Sequence, residues 1–525
     1  SMYRILSSIF FILLFCMACS NKYENPNKNI ELSDFETLDS SAFTLKAKRI
    51  QHFLRQTAFA DADSTATDMR VKSYYLNGGT CIWINRQGVN DQADTLLSYL
   101  KTVDLLGFSK KKFRVYEIEE GLKRFRTLDF DKQSNSINKV AAQLEYNLTK
   151  AYLRYTTGQK FGFVNPYRLF NRMDVRDSDS VSVSYATLFD IPMQRVGKDF
   201  YRLALDKIAH DSVGIFLHEI QPKSKLYSQL QSLLAITRDK DERRAILCNM
   251  DRCRWRYKDM PDLHEKYVLV NIPSFHLRMV NRDDIEEMKI GCGSKDTKTP
   301  LLTSRIIRMD VNPQWIVPRS IIKKSIVNHC GDRHYFDSHH FFVRHRKTGK
   351  KIPFDQITRE MLLSKDYLVI QTGGLGNSLG RIIFRFPNGF SVFLHDTNQQ
   401  HVFSQTDRDV SHGCVRVERP FDLAVFLLKD KEASIIRKLH YSMTAKIGEE
   451  GVNSSEEEHK NMEKTRPDTL KRSLILRSLS VEPQVPIYLT YFTIYPDGKG
   501  KLQHFADVYG FDKVIFKSLR NYGAE

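Results

Sequence analysis

The run Asp409-Val410-Ser411-His412-Gly413-Cys414-Val415-Arg416 puts a thiol directly after a glycine, and a second imidazole, His395, lies upstream of it. These are the parts of a cysteine acyl-transfer site: a nucleophile, a base, and backbone N–H groups that can face an oxyanion. A free cysteine has a pKa of about 8.5, so at neutral pH little of it is thiolate. An imidazole that takes the thiol proton can return it to a leaving amine. Cys414 is therefore the candidate nucleophile and His395 the candidate base. Gly413 allows a tight turn that would aim the amides of His412, Gly413 and Cys414 at an oxyanion, each donor being worth about 3 kcal/mol in known cases. One cysteine near one histidine is usually structural. The longer pattern, with His395-Asp396-Thr397 ahead of Ser411 to Cys414 and Arg416, is far more specific.

The elements around the pattern must bring its two halves together. Ile382 to Phe386 and Ser391 to Leu394 predict a hairpin across Pro387-Asn388-Gly389, with His395 at a strand end. Pro420 to Leu428 predicts a helix with proline in its first turn, so the thiol is expected just before a helix whose N-terminal dipole favours thiolate. From Lys266 onward strand signals dominate: Tyr267 to Ile272, His276 to Val280, Met288 to Ile290, and later Val485 to Tyr495. The stretch from about Asp34 to Met260 reads instead as helical. Leu144, Leu148, Tyr152 and Tyr155 recur at helical spacing toward Gly158, as do Leu226, Leu230, Leu233 and Leu234. The expected class is α+β: an N-terminal α-helical scaffold and a mainly β catalytic domain.

At 525 residues the chain is too long for a single core and predicts about three units. Its net charge of +18 implies an anionic partner. The basic residues are dispersed, with no RNP pattern, zinc-finger spacing or arginine-rich arm, so nucleic acid is not expected. Arg4, the apolar run Ile5 to Phe15, and Cys16-Met17-Ala18-Cys19 read as an export signal, the apolar run being too short to span a bilayer. A small residue before Cys19 resembles a bacterial lipoprotein cleavage site, although Cys16 stands where Leu is usual. Cys19 would then carry acyl chains and anchor the chain to a membrane, with periplasmic localisation. The expected organisation is a signal over 1–19, a tether over 20–33, a helical scaffold over 34–260, and a catalytic domain over 261–430. A C-terminal region of helix, polar loop and closing strand follows over 431–525. Cys81, Cys248, Cys253, Cys292 and Cys330 show no CxxC spacing and read as buried thiols.

The stretch from His395 to Arg416 resembles the YkuD-type L,D-transpeptidases, whose signature is a histidine, a spacer, and SHGC followed two positions later by arginine. The likeness extends to Met250–Arg256, Val270–Phe275, Thr299–Leu301, Asn312–Pro318, Gly374–Gly380, Tyr488–Thr490 and Asp507–Gly510, and upstream to Leu144–Pro166. It is closest to the large multidomain members. It implies a cap inserted over the active site at about 318–370 and peptidoglycan stem peptides as substrate. On that resemblance Cys414 is the nucleophile, His395 the base, and Gly413 with neighbouring amides the oxyanion hole. His412 and Ser411 would orient the loop and touch substrate, and Arg416 would pin the motif. Asp396, Thr397, Trp315 and Asn377 would position substrate. A tetrapeptide donor would lose D-Ala, form a thioester on Cys414, and pass to an amine of a neighbouring stem, giving a 3-3 cross-link. Carbapenem-type β-lactams would acylate the same thiol. Two departures stand out. Leu234 runs almost directly into Met250, leaving no room for the peptidoglycan-binding module common in large members, and Asn398 replaces a frequent Pro.

No cofactor is expected, and no metal. His329, Cys330, His334, His339, His340 and His345 crowd one segment, but their spacing fits no common zinc site. Gly373 to Gly380 lacks the Lys-Ser/Thr ending of a P-loop, and neither His218-Glu219 nor His264-Glu265 continues to a second histidine. Trp315 reads equally as a cleft residue or a core residue. Two other functions fit the same residues: a carboxypeptidase or stem-peptide hydrolase, in which water resolves the thioester, and a non-catalytic wall-binding lipoprotein.

Overall fold

The computed structural model describes residues 45–85, 88–176, 183–429, 431–447 and 470–525. The export signal, Cys19, the tether and the polar stretch 449–468 lie outside the described residues. The chain forms two compact units. One comprises residues up to Asn165 with Met193–Arg256 and Asp512–Glu525, and the other comprises Pro166–Pro192 with Tyr257–Phe511.

The first unit is helical. Its named helices are α1 (Ala47–Ala60), α2 (Ala66–Leu76), α3 (Val115–Thr127), α4 (Ile137–Phe161), α5 (Lys225–Ile236) and α6 (Lys240–Arg254). Helix α4 is the axis, buried on nearly every side from Val140 to Gln159. It runs through Gly158, the expected end, and stops at Gly162, whose φ of 100° favours glycine. Gly158 serves packing instead: a Cβ there would lie 2.0 Å from the Phe163 ring. α2 begins with a capping box between Thr65 and Asp68, and in α5 Tyr227, Leu230 and Leu234 form the inward stripe.

The second unit is built on a sheet of β1 (Phe189–Asp190), β2 (Lys266–Asn271), β3 (His276–Asn281), β4 (Asp284–Gly293) and β5 (Leu301–Val311). The cap contributes β6 (Trp315–Ile316), α7 (Arg319–Lys324), α8 (Arg333–Ser338), β7 (Phe341–His345), β8 (Lys351–Ile352) and β9 (Tyr367–Gln371). Then come β10 (Ile382–Arg385), β11 (Leu394–His395), β12 (Asp409–Ser411), β13 (Val415–Val417), α9 (Pro420–Leu427), α10 (Ala433–Thr444) and β14 (Ser478–Thr490). The main sheet runs β10-β11-β13-β4-β3-β2-β14-β5-β1, and β10 also pairs with β5, which closes the sheet into a barrel. Closure leaves β1 as an appended edge and β12 paired in parallel with β4. β14 inserts parallel to β2 and antiparallel to β5, and its last six residues are all buried. That continuous apolar run is what a strand covered on both faces requires.

Some segments pack differently from their place in the sequence. Residues 166–192, inside the range expected for the scaffold, pack with the second unit, where Phe189 and Asp190 pair with Leu301 and Leu302 at the barrel edge. Asp512–Glu525, at the end of the expected C-terminal region, packs within the helical unit. The strand expected from Ser391 shrinks to Leu394–His395. Asn388 bridges the turn instead, donating to the carbonyls of Phe386 and Val392 and accepting from the amides of Phe390 and Val392, and Ser391 takes a φ of 55°. The cap segment has its own four-stranded sheet and an apolar core that includes Val317, Ile322, Phe336, Phe341, Leu362 and Val369.

Candidate active site

Strands β11 and β13 run parallel, with Leu394 opposite Val415 and His395 opposite Arg416. Just before β13, the Val415 amide donates to the Phe393 carbonyl at 3.2 Å. Side chains alternate along a strand, so this register puts Cys414 beside Phe393 and turns Cys414 and His395 to the same face of the sheet. The Phe393 ring lies 5.8 Å from that of His395 and forms one wall.

The turn that carries the thiol is held by Ser411, a residue the sequence singled out, and from beneath by groups it did not identify. Ser411 Oγ donates to the Cys414 carbonyl at 2.6 Å and accepts from the Gly413 amide at 3.1 Å. Thr299 Oγ1 donates to the Gly413 carbonyl at 2.7 Å and accepts from the Gly293 amide at 2.8 Å. The Ser411 carbonyl accepts from Thr297 Oγ1 and from the Ser294 amide. Tyr509 Oη donates to the Gly293 carbonyl at 2.5 Å and accepts from the Thr299 amide. Arg408, 5 % exposed, spends its guanidinium on the carbonyls of Phe275, Ile290 and Gln405. Two glycines are required. Gly413 has a φ of 128°, and a Cβ on Gly293 would lie 2.0 Å from the Thr297 carbonyl oxygen. The sequence signals were faint: Thr299 and Tyr509 fall in stretches with family likeness, but nothing in them announced a role.

Burial sets the electrostatics. It pushes the Cys414 thiol up to about 11, against weak opposition from a backbone hydrogen bond at Phe393 and the Arg385 charge. It pushes His395 down to about 4, helped by Arg416 and opposed by the carbonyls of Asp396 and Leu379. The resting pair is thus a neutral thiol and a neutral imidazole. The thiolate expected at a helix start is corrected: Cys414 leads into strand β13, and α9 begins only at Pro420. A carbonyl oxygen can only accept, so the His395 Nδ1 contact with the Asp396 carbonyl requires a proton on Nδ1. The lone pair is then on Nε2.

The remaining candidates divide by exposure. His412 is exposed, and its imidazole is lowered by partial burial and by the charges of Lys324 and Arg416. Ser411 is buried, so it orients the turn rather than meeting substrate. Arg416 reaches Gln399 Oε1 at 2.9 Å, and its Nε is buried without a hydrogen-bond partner among the described residues. Asp396 accepts from the Arg381 amide and from Gln400, while Thr397 accepts from the Gln399 amide. Both are buried and shape the loop after His395. Asn377, fully buried, donates to the carbonyls of Pro313 and Thr372 and accepts from the Leu379 amide, so it organises the glycine-rich loop from inside. Trp315 pairs with Gln371 in the cap sheet and packs on the cap core. Two of the cap histidines pack on one aromatic ring: His329 stacks on Tyr335 at 3.7 Å, and His339 lies tilted 4.2 Å from the same ring. Cys81, Cys248, Cys253, Cys292 and Cys330 are free thiols.

Residues 265–435 match the family model of the L,D-transpeptidase catalytic domain, YkuD, and residues 70–234 match that of the scaffold domain. A Haemophilus influenzae protein named "Putative L,D-transpeptidase" is 25% identical over 328 residues, covering 61% of this chain and 60% of its own length. The chain therefore spans less than two thirds of that relative. The half-buried Cys414 and the buried His395 lie within the segment that carries the catalytic-domain match, and the chain carries a YkuD L,D-transpeptidase catalytic domain together with a scaffold domain.

Proposed function

We propose that this protein is a peptidoglycan L,D-transpeptidase that forms 3-3 cross-links through a thioester on Cys414. The observation that carries the reading is the pairing of β11 with β13, which turns the half-buried Cys414 thiol and the buried His395 imidazole to one face. In the first half-reaction Cys414 Sγ attacks the carbonyl of the third stem residue as its proton moves to His395 Nε2. The C–N bond to D-Ala breaks, and the D-Ala nitrogen takes that proton. In the second, a side-chain amine of a neighbouring stem passes a proton to His395 and attacks the thioester. The new amide forms and the thiol is restored.

Because thiol and imidazole both rest neutral, proton transfer accompanies attack rather than preceding it. A neutral pair also spares the site a buried charge until the carbonyl is in place. The developing oxyanion needs N–H donors from the turn. The Gly413 amide is engaged by Ser411, so we assign the role to the Cys414 and His412 amides. The exposed His412 and the cationic Lys324 near it suit the carboxylates of a stem peptide. Export, lipidation at Cys19, a periplasmic setting and acylation by carbapenems belong to the same reading.

The test is mass spectrometry of products after incubating the protein with disaccharide-tetrapeptide, beside Cys414→Ala. A dimer lighter by one D-Ala, absent with the variant, is the expected result. Tripeptide monomer with no dimer would replace the reading by hydrolysis, and an unchanged substrate pool would overturn it.

A further inference from the structure

A second cavity lies in the helical unit, and no reading of the active site uses it. It has a volume of about 570 Å³ and opens between α1, α3 and α4. That size falls in the range of small-molecule sites. Its lining is polar and mixed in sign, with Asp61, Glu117, Glu120, Arg114, Arg124 and Lys139 among the residues around it.

Most of these charges are already committed. Arg114 pairs with Asp61 at 3.3 Å, Arg124 with Asp129 at 3.2 Å, and Asp61 also receives Lys150 and Tyr146 at 2.7 Å each. What is left is Lys139 against Glu117 and Glu120, an acidic remainder that disfavours an anion. Other groups want a ligand. Asn147 is only 7 % exposed, lines the cavity from α4, and its amide has no hydrogen-bond partner among the described residues. Glu117 Oε2 is likewise buried without a partner. A buried carboxylate oxygen without a partner costs free energy unless something else completes it, and the Asn147 amide at the cavity wall is open to the same ligand. At the rim Tyr116 is 70 % exposed, an aromatic face turned to solvent.

A ligand matching this lining is neutral and flat-sided, and it carries closely spaced acceptors and donors. The acceptors would face Asn147 Nδ2 and the donors would face Asn147 Oδ1 and Glu117. An N-acetylated hexosamine has these features: an acetamido carbonyl and N–H, ring hydroxyls, and an apolar ring face that can lie on Tyr116. We propose that the cavity between α1, α3 and α4 binds N-acetylated hexosamine units, with Asn147 as the buried anchor and Tyr116 as the stacking face. Taking the wall's glycan backbone as their source rests on the function proposed above.

The experiment is a calorimetric or NMR titration of the full chain with the peptide-free tetramer of N-acetylglucosamine, and separately with a stem tetrapeptide. Both are repeated with Asn147→Leu and Tyr116→Ala. Saturable binding of the tetramer is expected, weakened about tenfold or more by each variant. Tyr116 is exposed, so its variant keeps the fold and preserves the test if Asn147→Leu unfolds. No saturable binding of the tetramer overturns the proposal, as does binding that Tyr116→Ala leaves unchanged or that the tetrapeptide displaces. The tetramer has no amide to transfer at Cys414. A protein that binds it yet forms no cross-link counts against the proposed function and leaves this site standing.

Discussion

The helical unit and the barrel both bury ionisable groups, and they do it in opposite ways. In the helical unit Lys150, fully buried on α4, meets Asp61 and Asp63 at 2.7 Å each, and Arg154 meets Asp68 at 2.7 Å. Although burial alone would raise them, Asp61 and Asp63 are held low, chiefly by the Lys150 hydrogen bonds, so these groups remain charged. In the barrel, the buried His395 and the half-buried Cys414 have no ion-pair partner, Arg385 favours the thiolate too little to offset desolvation, and both groups rest uncharged. Burial with partners makes a rigid polar core. Burial without them makes groups that change charge only when chemistry supplies the occasion.

Glu145 stands between these two cases. It is buried on α4, and burial pushes its carboxyl up to about 7. Four donors nevertheless point at it, the amides of Ile82, Trp83 and Ile84 and the Tyr75 hydroxyl. Donors without an acceptor for a proton favour the carboxylate, and the geometry makes it a structural anchor for the Ile82–Ile84 segment.

The largest effect expected is on activity. His395→Ala should lower kcat/KM for transpeptidation by about 10²–10⁴ with little change in melting temperature, and an activity loss under fivefold would remove His395 as the base. In the helical unit the same kind of deletion should strike stability. Lys150→Met removes the fully buried cation nearest to both Asp61 and Asp63, leaving Arg114 and Arg154 beside them, and should cost about 3–5 kcal/mol, read by denaturant unfolding. A cost under 1 kcal/mol would mean that the network contributes no more than a surface pair.

The turn under Cys414 offers a smaller test. Thr299→Val removes the hydroxyl that joins Gly293 to Gly413 and should destabilise by about 1–3 kcal/mol while lowering kcat more than it raises KM. Equal loss in both would mean that the hydroxyl holds the fold and not the turn.

The pH dependence separates the regions further. The His395 pKa falls from 6.5 unfolded to about 4 folded, so above pH 6.5 it contributes nothing. Between 6.5 and 4 the unfolded chain binds more protons, and stability is lost as pH falls, by about 3 kcal/mol at most. The Cys414 thiol, raised from 9 to about 11, should react slowly with iodoacetamide at neutral pH, the rate climbing toward pH 11. A plateau near pH 8 would restore the resting thiolate. Slow labelling at neutral pH therefore does not by itself mark the protein as a non-catalytic binder. The smallest effect should come from Arg282→Ala, which breaks an exposed pair with Glu265 and should leave the melting temperature unchanged.

Much of this protein is legible from its residues. The helical stripe of α4 and the strand patterns of β2 and β3 rest on spacing between near neighbours, which the chain carries locally. The reactive pair is legible because glycine, histidine and cysteine types at that spacing have few other uses together. Other features are set by residues far apart. Thr299 meets the thiol turn, Tyr509 backs Thr299 and Gly293, and Arg408 ties Phe275 to Ile290 only because distant segments come together in the barrel, and Phe189 joins β5 across more than a hundred residues. The charge state of Cys414 depends on solvent exclusion by the folded barrel, while its distance from a helix start depends on Val415–Val417 entering the sheet. Residue types and local spacing determined which groups could react. Only tertiary contact decided which are neutral, which are pinned and which meet solvent, because desolvation and backbone hydrogen bonds arise where distant segments come together.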